Sequence, residues 1–152
     1  MRTISRHAAS TKRASLLFAV VLIGCGSLFY VWLLRWFVPH LQLGVLFEIV
    51  LTLAILGQII TALAPDIEGL SRTVHHYAAY TMAILFMPLA WLIFTAPHIS
   101  APARLFVGIA GFYLISSFTT VVILGKLRRY FLPFQASYII VFQCAILVAA
   151  YA

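Results

Sequence analysis

Five apolar runs, at about Leu16–Val38, Leu41–Ala64, Val74–Ala96, Ala103–Leu124 and Phe131–Ala152, occupy most of this 152-residue chain. A helix rises about 1.5 Å per residue and the hydrocarbon core of a bilayer is about 30 Å thick, so about 20 apolar residues complete one crossing. Each run meets that length. The runs are continuously apolar rather than alternating, which excludes the strands of a transmembrane barrel. The sequence therefore predicts an all-α, polytopic integral membrane bundle of five helices, with residues 16–152 forming the membrane domain and residues 1–15 a basic tail. Leu16–Ser27 follows basic residues as a signal peptide would, but its apolar run continues past Tyr30 and Trp32, longer than a typical h-region. An uncleaved first membrane helix is the expectation.

Charge fits the same picture. Only 9% of residues are charged, and the formal net charge of +7 comes from bases lying mostly between the runs. Nucleic-acid binding would want a basic stripe with aromatic platforms on an exposed face, which this scattering does not supply. Five crossings place the tail, the 65–73 turn and the 125–130 turn on one side. That side carries eight bases (Arg2, Arg6, Lys12, Arg13, Arg72, Lys126, Arg128 and Arg129), and the other side two (Arg35 and Arg104). The positive-inside rule then predicts a cytoplasmic N-terminus and an external C-terminus. Anionic lipid headgroups are the expected partners of the basic side. Cys25 and Cys144 stand alone in different runs, and their spacing offers no zinc or redox motif.

The turns are short enough to make sequential helices antiparallel neighbours. Pro39 in the first turn is expected to end helix one, because it lacks an amide donor and biases its predecessor away from helix. In the second turn, Ser71 or Thr73 can cap helix three. Pro102 suits the first turn of helix four. Pro88 is expected to bend helix three. Gly24-Cys25-Gly26-Ser27 and Gly108-Ile109-Ala110-Gly111 form small-residue grooves, where helix backbones can approach closely.

Few intramembrane groups can carry chemistry. Glu48 is the sole acidic side chain inside a run, and a charge in lipid costs roughly 2.5–3.5 kcal/mol on insertion scales. Arg35 and Glu48 lie at similar distances from a first turn centred near residues 41 and 42. They are the expected polar pair, either locking the hairpin or recognising a ligand. A second cluster comprises Asp66, Glu68, Thr73, His75, His76 and Tyr80 at the cytoplasmic interface. Capping and hydrogen bonding are the expected roles of its histidines. His75 and His76 point about 100° apart on one helix, so they make a poor single-helix clamp, and no metal or catalytic residue is assigned. His40 and His98 occupy turns, and no pair of histidines faces across the membrane interior as a b-type haem would need. No cofactor is expected. Thr52, Gln58, Thr61, Thr81, Ser116, Ser117, Thr119, Thr120, Gln135, Ser137, Tyr138 and Gln143 form a diffuse polar set, suited to bonds between helices or to lining a cavity.

The stretch Thr61-Ala62-Leu63-Ala64-Pro65-Asp66, followed by Thr73-Val74-His75-His76-Tyr77-Ala78-Ala79, resembles the DUF998 group of bacterial membrane proteins, themselves distantly similar in layout to the Frag1/DRAM-like proteins. The resemblance covers the second and third helices, about a third of the chain. It rests on an Asp-containing turn followed by Thr and His at the next helix start, carried here by Asp66, Thr73 and His75 or His76. It implies a small helical bundle, multi-pass in a bacterial inner (plasma) membrane, and no known activity. The family usually has about six membrane helices, one more than this chain.

Three functions fit these observations. The first is a nonenzymatic membrane protein that binds or translocates a lipid-like or small amphipathic molecule. The alternative is an accessory or assembly subunit of a larger membrane complex. The third is an interfacial enzyme acting on a lipid headgroup through Asp66, Glu68, His75 and His76, for which a nucleophile or full ligand set is missing. Homodimerisation through a small-residue groove is an expectation of the same rank as packing within the chain.

Overall fold

A computed structural model describes residues 11–64, 69–126 and 131–151. Among them every regular element is helical. Helix α1 is Lys12–Trp32, prolonged by a π-turn over Leu33–Phe37 and a last α-turn over Val38–Leu41. Helix α2 is Val45–Leu63 and α3 is Leu70–Phe94. Helix α4 is Ala101–Phe118, prolonged by a second π-turn over Thr119–Ile123, and α5 is Phe131–Tyr151. Among the described residues five segments are long and apolar enough to cross a bilayer, the shortest having 19 residues. This is the architecture of a polytopic membrane protein.

The first helix does not stop at Pro39. The π-turn pairs the Val38 amide with the Leu33 carbonyl, one residue beyond the usual α-helical spacing. Pro39 then falls at the start of a new α-turn, where a missing amide is tolerated. Reversal is made instead by Gln42, which adopts φ 52° and ψ 45° and closes the helix by donating its amide to the Pro39 carbonyl at 3.2 Å. Leu43 donates to Val38 at 3.0 Å. This left-handed cap is ordinarily a glycine position, and a residue with a Cβ pays about 1–2 kcal/mol to occupy it. Gln42→Gly should therefore stabilise the protein by about 0.5–1 kcal/mol after glycine's extra unfolded-state entropy is subtracted. Reversible unfolding in mixed detergent micelles would measure it, and Gln42→Ala should give no such gain.

Other helix starts follow local chemistry. Thr11 Oγ1 accepts from the Ala14 amide at 3.1 Å and Ser100 Oγ from the Ala103 amide at 3.4 Å. Pro102 sits in the first turn of α4, as its lack of a donor allows. Helix α3 begins earlier than expected: Gly69, at φ 85°, is its cap, and Ser71 and Thr73 lie inside the helix.

Neighbours in sequence pack as neighbours in space, and α3 also touches α5. The small residues mark close approaches. A Cβ on Gly57 would meet the Ala78 carbonyl oxygen and Met82 Cβ, each at 3.3 Å, so α2 and α3 depend on glycine there. Gly108 faces the Phe94 ring and Gly111 faces Ala90, joining α4 to α3, whereas Gly24 faces open space.

Packing divides the bundle into two halves. The half nearer His40 holds the core: Leu33, Phe37, Leu89, Ile93, Leu114 and Ile146 are fully buried there. On that end Trp36 stacks on His40 and on Tyr151, tying α1 to α5. The half nearer His75 is open.

Candidate functional site

The open half encloses a cleft of about 600 Å³, to which all five helical segments contribute. Helices α1 and α5 flank it without packing along each other there. Its walls are mostly apolar and aromatic, with Phe18 and Phe29 from α1, Phe86 from α3, Phe118 from α4 and Phe134 from α5. No Lys, Arg, Asp or Glu lines it among the described residues.

The polar groups of the wall divide by whether their bonding is already committed. Gln58 crosses from α2 to α1 and donates through Nε2 to the Leu22 carbonyl at 2.8 Å. Gly26 makes room for it, because a Cβ at that position would overlap the Gln58 amide. A double-mutant cycle tests the pairing. Gly26→Ala should destabilise the native protein yet be neutral or stabilising in a Gln58→Ala background, with a coupling of about 1 kcal/mol, within the range of bonds between membrane helices.

Tyr138, buried on α5, donates its hydroxyl to the Ala83 carbonyl at 2.8 Å. Its target lies next to Ile84, whose usual helical donor is missing because residue 88 is proline. Thr61 turns inward on its own helix, donating to the Gly57 carbonyl at 2.7 Å. Gln135 and Gln143, both half-buried, have no hydrogen-bond partner among the described residues. With the Tyr80 hydroxyl and Gln58 Oε1, which also lack a hydrogen bond among the described residues, they are groups with donor or acceptor capacity left for something in the cleft.

His75 lines the cleft and, apart from the Tyr138 hydroxyl, is the one buried polar side chain among the described residues. Its Nδ1 lies 3.0 Å from the Thr61 carbonyl and 2.7 Å from the Ala64 carbonyl. Two carbonyl acceptors require the proton on Nδ1. The reason for the bond is in the sequence: the amide that would serve Thr61 belongs to residue 65, a proline. His75 thus caps the end of a neighbouring helix.

The expected interfacial cluster separates. His75 faces the bundle, while Thr73 and His76 line a shallow outer groove of about 370 Å³ with Arg72 and Tyr77. Tyr80 borders both spaces, its ring edge-on to His76 at 6.1 Å. Asp66 and Glu68 lie outside the described residues. No group of three His, Cys, Asp or Glu side chains that could hold a metal ion occurs among the described residues.

Arg35 and Glu48 do not form an ion pair within 4.0 Å. Arg35 lies two residues from both Leu33 and Phe37, the buried positions of the π-turn, and so points away from the core. Prolonging α1 to Leu41 also moves the centre of the reversal to Leu43, so the two residues no longer flank it evenly. Arg35 is exposed and Glu48 half-buried. The contact that does join α1 to α2 at this level is Tyr30 to Thr52, at 2.9 Å. Thr52 spends its only proton on the Glu48 carbonyl, so Tyr30 must be the donor.

The other polar residues of the diffuse set largely serve the helices. Ser116, Ser117 and Thr120 donate to carbonyls one turn back, just before and within the α4 π-turn, where such back-bonding favours local distortion. Tyr113 and Ser137 join α4 to α5 at 2.7 Å. Gly57 and the cleft itself were not singled out by sequence. Glycine inside a helix was the available signal for the first, and nothing in periodicity marks the second. Comparison of this chain with family models, curated proteins and solved structures returns no match.

Proposed function

We propose that this is a nonenzymatic membrane protein whose open half receives a lipid-like or small amphipathic molecule. The observation that carries the reading is the apolar cleft with Gln135 and Gln143 unpartnered in its wall. A volume of about 600 Å³ falls within the range of roughly 300–1,000 Å³ typical of pockets that enclose small ligands. Apolar walls with a few placed polar groups suit a molecule arriving from lipid. Arg35 is exposed and forms no ion pair with the half-buried Glu48, so the cleft is the ligand site proposed in its place.

Cys25 is exposed and lines the cleft, which makes it a tolerant position for a bulky replacement. Mass spectrometry of molecules co-purifying with the full chain should find a species that is depleted in Cys25→Trp. Identical co-purified species in both proteins would remove the cleft as the site. A stoichiometric protein partner in the same preparation would favour the subunit reading.

The eight-to-two distribution of bases supports an inside N-terminus and an outside C-terminus. The cleft, on the His75 side, would then open in the cytoplasmic half. Side-specific labelling of Ser5→Cys and Ala152→Cys, each in a background lacking Cys25 and Cys144, should report opposite faces. Labelling of both from one face would defeat the odd number of crossings. Kinship with the DUF998 group is proposed on the same footing, from the Pro65-Asp66 and His75-His76 turn.

A further inference from the structure

Resting on the reading of the cleft as a ligand site, we infer that its occupant is uncharged and elongated, with a hydrogen-bonding group near each end. The inference comes from where the unused polar capacity lies. Gln135 and Gln143 both line the cleft from α5, eight residues apart, which separates them by about 12 Å along the helix axis. Gln135 is toward the His75 end of the cleft, three residues before Tyr138, whose hydroxyl meets the Ala83 carbonyl. Gln143 is at the deep end, beside Phe142, whose ring stacks on Phe86 at 4.1 Å, and one turn short of the buried Ile146.

The unbonded Tyr80 hydroxyl, three residues before Ala83 on α3, adds capacity toward the Gln135 end, and beyond it the wall between the two amides offers little unused donor capacity. The Tyr138 hydroxyl is given to the Ala83 carbonyl, and rings of Phe86 and Phe134 cover the same stretch. A plain hydrocarbon tail pushed to the bottom would strip water from the Gln143 amide and return nothing, a cost that opposes simple alkyl chains. A phosphate or carboxylate head in that position would meet no cationic side chain of the described wall and would be held back by its own desolvation. A hydroxyl, ketone or ester oxygen satisfies the amide without either cost. A second such group about 12 Å away would satisfy Gln135.

Four probes of one chain length separate these cases: an alkane, a terminal alkanol, a terminal diol whose oxygens are about 12 Å apart, and an alkyl phosphate. Each is titrated against the detergent-solubilised full chain with thermal unfolding as the readout, since a ligand of the native state raises Tm with its occupancy. The diol should bind about fivefold tighter than the alkanol, the gain of one neutral hydrogen bond, and the alkane and alkyl phosphate more weakly than either. Gln143→Leu, an apolar change suited to a membrane helix, should erase the diol's advantage, as should Gln135→Leu. Alkyl phosphate binding as tightly as the diol, or a diol advantage that persists in both Leu variants, would overturn the inference. Equal binding of diol and alkanol that is lost in Cys25→Trp would also overturn it while leaving the cleft as a site. Absence of protection by every probe, or protection indifferent to Cys25→Trp, would remove the underlying cleft reading.

Discussion

Replacing His75 by phenylalanine is expected to destabilise the protein by about 2–3 kcal/mol, the cost of leaving two part-buried carbonyls without a donor. Phenylalanine fills nearly the same space, so packing is mostly retained and the loss isolates the hydrogen bonds. Two acceptors are affected, the Thr61 and Ala64 carbonyls at the end of α2. In a water-soluble helix end, solvent would replace the lost donor at little cost. Here the ring is 5% exposed, and Pro65 has no amide with which to serve Thr61. His75→Asn should recover part of the stability, because its side-chain amide can place a nitrogen donor close to where Nδ1 lies. Unfolding measured in mixed micelles would rank the three proteins as His, Asn, Phe. Equal stability of the Asn and Phe variants would show that the ring's volume, not its proton, holds the helix end.

That cap also shows how far the sequence could be read. Pro65 and His75 are both visible in the sequence, and capping is among the roles expected for the histidines, but pairing His75 with an acceptor on another helix requires knowing the turn that brings them together. The five crossings were legible because bilayer thickness imposes one length on every run. The small-residue sites at Gly26, Gly108 and Gly111 were legible for a related reason: close helix packing in lipid needs small side chains, and little else in the sequence competes for that meaning.

The Arg35–Glu48 pairing failed through register. Counting outward from a turn assumes uniform helices, and a π-turn adds a residue without changing the apolar pattern. Leu33 and Phe37 remain four apart, so periodicity alone looks like ordinary α-helix. Pro39 misled in the same place, since the π-turn lets the helix accept it. The cleft was illegible for a different reason. In a membrane protein, apolar residues face lipid, core and cavity alike, so composition cannot tell a wall from an interface.

Unequal packing of the two halves leads to the other large effect. Phe37→Ala in the closed half should cost about 3–4 kcal/mol, the lower part of the range for aromatic truncation in a tight core. Transfer from water contributes little to this in a membrane, where lipid is as apolar as the interior. What is lost is contact: Phe37 is fully buried, and its ring lies 6.1 Å from Phe47 and 5.9 Å from Trp32, so the vacated volume is sealed from lipid tails. Phe18→Ala provides the contrast. Phe18 is half-buried and lines the cleft, where space already exists and truncation merely widens it. Its cost should stay below about 1 kcal/mol, the lost dispersion of a ring with few partners on one side. A ligand that fills the cleft should reverse the order of sensitivity for binding, with Phe18→Ala weakening occupancy and Phe37→Ala leaving it unchanged at temperatures where that variant stays folded. Equal destabilisation by the two truncations would mean that the open half is packed in solution as tightly as the closed one, and that the cleft is not a standing feature of the native state.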